Sequence, residues 1–251
     1  MKRKRAQRPR PRRADRRGGP GRRSARGKDP FLETLSHELR TPLSTALMQA
    51  QLLRRGVLDA EGVRRAGEAI ERAVETQVRL IDDLVDASRI ASGELPLKHE
   101  PVDPVAAVKS AIASVSATAR EKLVALEAAF EEPVVPVSAD PARLRQVLTN
   151  LLVNAVQLSP KDGCVRVAVE TRDGRARISV ANGGVGIAPE ILPYVFDPFA
   201  RADLTRTTAW GGLGLRLGIV RELVERQGGA VTVDSAGTDK GAVFTVTLPL
   251  A

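Results

Sequence analysis

The sequence predicts a multidomain α and α+β chain. It begins with an antiparallel helical hairpin that pairs with a second copy into a dimeric four-helix bundle, and an α/β sandwich follows. Three observations carry this prediction. Apolar residues recur seven apart over two long segments between residues 31 and 92. Beyond residue 102, short alternating stretches flank turn residues, which is the signature of strands. Helical stretches lie among those strands, so helices and a mostly antiparallel sheet share one domain.

The arm comes first. Residues 1–28 hold fourteen Lys/Arg and one Asp, a net of +13, while the rest of the chain carries −4. The arm has almost no large apolar side chain, so burial cannot offset the entropy of ordering it, and disorder is expected. Such a run suits nucleic acid or an anionic membrane surface, although most charge runs are simply solvated linkers. The remainder is apolar enough for a core. With aromatics at only 3%, that core must be Leu, Val, Ile and Ala.

From Phe31 to Leu53, the residues Leu32, Leu39, Ala46 and Leu53 form one row, with Leu35, Leu43, Leu47 and Ala50 beside them. Gly56 to Gly62 interrupts the pattern. A second helix runs to about Ser92, with Ala66, Ala73, Leu80 and Ala87 in one row and Ile70, Gln77 and Leu84 in another. A lone hairpin leaves its apolar stripe wet, so a homodimer through residues 29–92 is expected. Residues 93–102 read as a linker and 103–250 as the second domain. In that domain Pro104–Arg120 and Asp140–Ser159 read as helices, the latter with Asp140 as N-cap and Pro141 in its first turn. Cys164–Thr171 and Arg175–Val180 alternate around Asp173-Gly174, a hairpin signal. Gly212–Gln227 reads as a helix stopped by Gly228-Gly229, and Val231–Asp234 and Ala242–Leu248 read as strands.

Cys164 is the only cysteine, so no disulfide forms within the chain, which fits a reducing compartment. No apolar stretch follows the basic arm and no run of about 18 apolar residues occurs, so neither a secretory signal nor a membrane span is expected. A cytoplasmic protein whose sensing part lies elsewhere is the resulting expectation.

His37 lies off the Leu32/Leu39/Ala46 row and should face outward on the first helix. A neutral imidazole is a good nucleophile near neutral pH. Glu38 is adjacent and suited to orient the ring or take its proton. Pro42 lacks an N–H and should bend the helix just beyond. An exposed helical histidine is most often an ordinary surface residue; the surrounding string changes that reading.

His37-Glu-Leu-Arg-Thr-Pro42 resembles the phosphoacceptor motif of two-component sensor histidine kinases. The second half resembles that family's ATP-binding domain, of the GHKL type shared with gyrase, Hsp90 and MutL. The resemblance covers about residues 29–250 and rests on several motifs in the family's order. Arg145–Asn154 resembles the asparagine box, with Asn150 and Asn154 on one helix face. By the resemblance, Asn154 helps hold Mg²⁺ beside the ATP phosphates, a suitable role for a hard amide oxygen. Asn182-Gly-Gly-Val-Gly-Ile187 resembles the first glycine box and brings in Gly184 and Gly186. Phe196-Asp-Pro-Phe199 resembles the phenylalanine box beside a nucleotide lid, here Ala200–Gly211 with Trp210. Gly212-Leu-Gly-Leu-Arg-Leu-Gly-Ile-Val220 resembles the second glycine box, in which Gly212 and Gly214 let backbone N–H groups approach phosphates.

Three positions depart from the family pattern. Asn182 stands where the family has Asp on the adenine amino group, so that bond loses its charge, worth roughly 1 kcal/mol or up to about tenfold in affinity. Gln157 stands where a Lys near the phosphates is common. Arg216 stands where the last glycine of G-x-G-L-G-L is usual; its side chain either blocks the close backbone approach or, as a guanidinium suited to phosphate, partly replaces the charge missing at Gln157. The resemblance implies autophosphorylation of His37 from Mg-ATP and transfer to an Asp on the receiver domain of a response regulator. It also implies that Thr41 positions water for dephosphorylating that regulator, and that an upstream sensor protein or a sensor region outside this sequence supplies the signal. The alternative is a nucleotide-impaired relative acting as regulator phosphatase or scaffold.

Overall fold

The computed structural model describes residues 28–197 and 214–251. The basic arm up to Gly27, the lid Ala200–Gly211, Trp210, Phe199 and Gly212 lie outside the described residues.

Helices α1 (Lys28–Arg55) and α2 (Ala60–Ser92) form the hairpin. The intervening turn ends at Asp59, whose carboxylate accepts from the Gly62 N–H at 2.7 Å and caps α2. Gly93 closes α2 in the left-handed region, donating to the carbonyls of Arg89 and Ile90. Ala66, Ala73 and Leu80 are buried as their row requires. A second row on α2, Val74, Val78, Ile81 and Val85, stays roughly half exposed, as do Leu43 and Leu47 on α1. Pro42 sits inside α1 without ending it.

Among the described residues, the second domain stacks three α-helices on one five-stranded sheet. Helices α3 (Pro104–Glu121) and α4 (Pro141–Leu158) both start on an Asp-Pro pair. Asp103 and Asp140 each accept from two backbone N–H groups in the first turn, and proline fills a position whose donor would be orphaned. Strands β2 (Ala125–Phe130), β4 (Cys164–Arg172), β5 (Arg175–Asn182), β6 (Ala230–Asp234) and β7 (Ala242–Pro249) are ordered β2-β4-β5-β7-β6. All neighbours are antiparallel except β2 with β4. Asp173 and Gly174 both have positive φ, 52° and 69°, the twist a two-residue hairpin needs. Helix α5 (Arg216–Glu225) lies on β6 and packs against α4.

The core is aliphatic, as the composition requires. Leu144, Leu148, Leu151 and Leu152 of α4 meet Val165, Val167, Ile178, Val180 and Val246 of the sheet, with Phe244 the one fully buried ring among the described residues. β4 and β5 alternate buried with less buried residues, so the sheet presents one face to the helices.

Several expectations shift. Residues 100–102, expected in the linker 93–102, form β1 (Glu100–Val102) and pair with β3 (Val137–Ala139). The expected start of the last helix moves to Arg216, because Gly214 has φ +69°, outside helical geometry. β2 was not expected as a strand: Ala-Leu-Glu-Ala-Ala-Phe favours helix, and only pairing with β4 makes it extended.

Candidate active site

His37 stands on α1 with its side chain 78% exposed. The heptad row turns Leu35 and Leu39 inward against the core cluster and leaves the histidine outside. Its Nδ1 is 3.9 Å from Glu38 Oε1, an ion-pair separation rather than a hydrogen bond. Thr41 Oγ1 donates to the His37 carbonyl oxygen at 3.0 Å, one turn back along the helix. His37, Glu38 and Thr41 therefore share the turn that leads into Pro42, which leaves one helical hydrogen bond unmade.

Asn150 and Asn154 lie one turn apart on α4, and both amide nitrogens are buried without a partner. Among the described residues only one other side-chain polar atom, Gln77 Oε1, is in that position. An orphaned buried donor costs about 1–3 kcal/mol, and α4 carries two of them one turn apart. Gln157, one turn further on, is exposed. The cation at this helix end is Lys122, whose Nζ donates to the carbonyl oxygens of Val156 (3.0 Å) and Gln157. Burial pushes its pKa below the usual lysine range.

Across from α4, Asn182 ends β5 beside Ala242 of β7. It is buried, and with its amide oriented to satisfy its neighbours, Nδ2 donates to Ala242 O at 3.2 Å while Oδ1 accepts from Gly184 N at 3.1 Å. Gly184 has no room for a Cβ, which would overlap the Leu158 carbonyl at the end of α4. Gly186 has φ +61°, and a Cβ there would overlap the Gly237 carbonyl. These two glycines let the 183–187 loop lie against α4 and against the 235–241 segment, where Ser235 Oγ accepts from Ile187 N at 2.9 Å. Phe196 packs edge-on against Phe244 with ring centroids 6.1 Å apart, which anchors the start of the phenylalanine segment.

Gly214 precedes α5, and Arg216 is its first residue. The Arg216 guanidinium is engaged by the hairpin: Nε donates to Asp83 Oδ2 at 3.1 Å. Asp83 is one of two buried aspartates on α2; the other, Asp86, accepts from Arg143 Nη1 at 3.1 and 3.2 Å and from Gln146 Nε2. Burial raises the Asp83 carboxyl above the usual range against the pull of Arg216, and Asp86 and Asp82 add to the rise. Asp83, Asp86, Arg143 and Lys122 escaped sequence reasoning. The available signal was two acids three apart beside the buried Leu80 row, where a solvated face was not expected.

Asp140 ties these parts together. Burial pushes its carboxyl up, but donors from the backbone of Lys98, Arg143 and Ala142 outweigh that and hold it below the usual range. Its own N–H donates to Gln227 Oε1 at 2.8 Å, which joins the start of α4 to the end of α5.

Residues 28–93 match the His Kinase A (phospho-acceptor) domain, and residues 139–251 match the histidine kinase-, DNA gyrase B- and HSP90-like ATPase domain. The hybrid signal transduction histidine kinase D of Dictyostelium discoideum is 32% identical over 271 residues, covering 90% of this chain. The chain spans 18% of that relative's length. Full-length ShkA, solved in complex with AMPPNP, is similar at 34% identity and TM-score 0.64, covering 88% of this chain and 45% of that one. ThkA, solved in complex with the response regulator protein TrrA, shares the fold at 21% identity and TM-score 0.63, covering 89% of this chain and 62% of its own. No described helix is long and apolar enough to cross a membrane. With an exposed histidine on a helical hairpin and a GHKL-type sandwich behind it, the chain belongs to the two-component sensor histidine kinases.

Proposed function

We propose that this chain transfers the γ-phosphoryl group of ATP to a ring nitrogen of His37 and then passes it to an aspartate of a response regulator. The observation that carries this reading is the pair of orphaned amides, Asn150 and Asn154, in the same chain as the exposed His37. Donors without partners suit phosphate oxygens, and Asn154 is the residue whose amide oxygen would hold Mg²⁺, an ion that supplies neutralising charge at the phosphates. Glu38 lies on the Nδ1 side of the ring. With Nδ1–H directed to Glu38, the lone pair of Nε2 is free to attack phosphorus. The N–P bond forms as the bond to the β–γ bridging oxygen breaks, ADP leaves, and Glu38 takes the ring proton.

The catalytic domain reaches His37 by moving about the linker that follows α2. The half-exposed row Val74, Val78, Ile81 and Val85 is the surface a second copy covers, which makes the hairpin a four-helix bundle. Thr41, one turn beyond His37, positions water for removing phosphate from the regulator. The partner class matches the regulator solved with ThkA.

The test is incubation with γ-labelled ATP and Mg²⁺. Wild type is expected to acquire acid-labile, base-stable label, and His37→Ala to acquire none while keeping its helical circular dichroism and dimer mass. Acid-labile label retained on His37→Ala overturns the assignment. A second reading, a nucleotide-impaired scaffold or regulator phosphatase, draws on one observation: Asn182 and Arg216 are already engaged by the protein. Its signature is an unlabelled wild type that still binds the regulator.

A further inference from the structure

Three arginines of the catalytic domain converge on one stretch of α2. Arg216 meets Asp83, Arg143 meets Asp86, and Arg226 Nη2 donates to the Ile90 carbonyl at 3.0 Å. Leu80, Leu84, Ala87 and Ile90 of the same stretch belong to or pack on the main core cluster. Both aspartates are less than a tenth exposed, and a buried carboxylate whose partner is withdrawn is strongly unfavourable. The docked arrangement therefore depends on these ion pairs staying made.

Arg216 differs from the other two arginines. It is the first residue of α5, two residues beyond Gly214 at φ +69°, and Leu215 at the N-cap gives the helix no side-chain cap. By the resemblance to the second glycine box this is a turn to which ATP phosphates come, and the inference rests on that and on the proposed function. A guanidinium recognises carboxylate and phosphate with the same planar fork, so the two compete for it. Arg143 and Arg226, in the first turn of α4 and at the far end of α5, are not in that position.

We propose that Arg216 couples nucleotide occupancy to domain docking: it fastens the catalytic domain to Asp83 of α2, and nucleotide phosphates draw it away and free the domain to move toward His37. Asp83 left without its guanidinium must take a proton or reach water, and either outcome loosens the docked face. Coupling is reciprocal, so whatever weakens the Asp83 contact must tighten nucleotide binding by the same factor. Arg216 is thus a positioning residue that stands in two places in turn.

The experiment titrates the full chain with a fluorescent non-hydrolysable ATP analogue and Mg²⁺, and follows hydrogen exchange across Leu80–Ile90. Asp83→Asn keeps the side-chain shape and is expected to bind about five- to tenfold tighter than wild type, within the usual range of coupling. Exchange across Leu80–Ile90 should rise with nucleotide in wild type and be high from the start in Asp83→Asn. The exchanged pair, Asp83→Arg with Arg216→Asp, rebuilds the contact but puts a carboxylate at the phosphates. It should keep the segment protected and bind more weakly than wild type. Equal or weaker binding by Asp83→Asn overturns the proposal, as does an exchanged pair that binds like wild type. If no variant, wild type included, binds at millimolar analogue, the nucleotide reading itself fails and takes this one with it, a result distinct from unchanged affinities.

Discussion

The two sides of the candidate nucleotide site treat their polar groups in opposite ways. On α4, Asn150 and Asn154 hold amide nitrogens that are buried and unpartnered. On the glycine-loop side, Asn182 donates to Ala242 and accepts from Gly184, and Arg216 is paired with Asp83. One side holds buried donors that the protein leaves unpartnered; the other has satisfied itself with protein. A donor left buried and unpartnered points to binding, whereas a satisfied one must give up a protein partner before it can serve a ligand. Asn150 and Asn154 keep the family residues; of the positions that depart, 182 and 216 are bonded by the protein, whereas Gln157, also on α4, is exposed.

Asn154→Leu breaks this contrast most sharply. It deletes an orphaned donor and the amide oxygen together, with a side chain of the same branched shape. Nucleotide affinity is expected to fall about 10- to 100-fold, the worth of one or two hydrogen bonds to charged groups. Stability without nucleotide should hold or rise by up to about 1 kcal/mol, because a buried unsatisfied group is removed. Isothermal titration and urea unfolding read the two quantities separately. If stability falls by several kcal/mol, the amide was bonded in the free protein and the two sides of the site do not differ.

Asn182→Asp tests the other side. A carboxylate still accepts from Gly184 N–H but cannot donate to Ala242 O, and it sets oxygen against oxygen in a buried place. The nucleotide-free protein should lose about 1–3 kcal/mol. Nucleotide affinity should rise, by up to about tenfold, because adenine's amino group now meets a charged acceptor. Thermal unfolding with and without ADP checks both: the variant should melt lower alone and gain more from the ligand. Unchanged melting without ADP means the Ala242 bond contributes nothing, and Asn182 then belongs with Asn150 and Asn154.

How much of this was legible in the sequence depends on how local each cause is. Helix α4 was readable because Asp140 and Pro141 announce its start and its leucines recur at helical spacing. The β4–β5 hairpin was readable from Asp173-Gly174, whose positive φ values the turn demands. β2 was not, since its alanines and glutamate carry no strand preference and the parallel partner β4 lies more than thirty residues on. The motif residues were found by pattern, yet pattern says which residue stands at a place and not what its side chain touches. Arg216 was expected at the phosphates because a cation was missing at Gln157, whereas its actual partner, Asp83, is 133 residues away in sequence. No local signal joins them.

Lys122 is the cation that local reading overlooked, and it gives the smallest test. It follows α3, and its ammonium closes the end of α4 by bonding the Val156 and Gln157 carbonyls. Those carbonyls are among the last four of the helix, which have no partner within it, and they carry the negative end of its dipole. Lys122→Met keeps the stem and removes the charge. The loss expected is about 1 kcal/mol of stability, measured by urea unfolding, with nucleotide affinity within twofold of wild type. On that outcome Lys122 belongs to the satisfied side and does not stand in for the family charge missing at Gln157. A tenfold fall in nucleotide affinity with stability unchanged would give the opposite answer. The ammonium would then serve the phosphates from the end of α4, and the boundary between the two sides of the site would run through this helix rather than beside it.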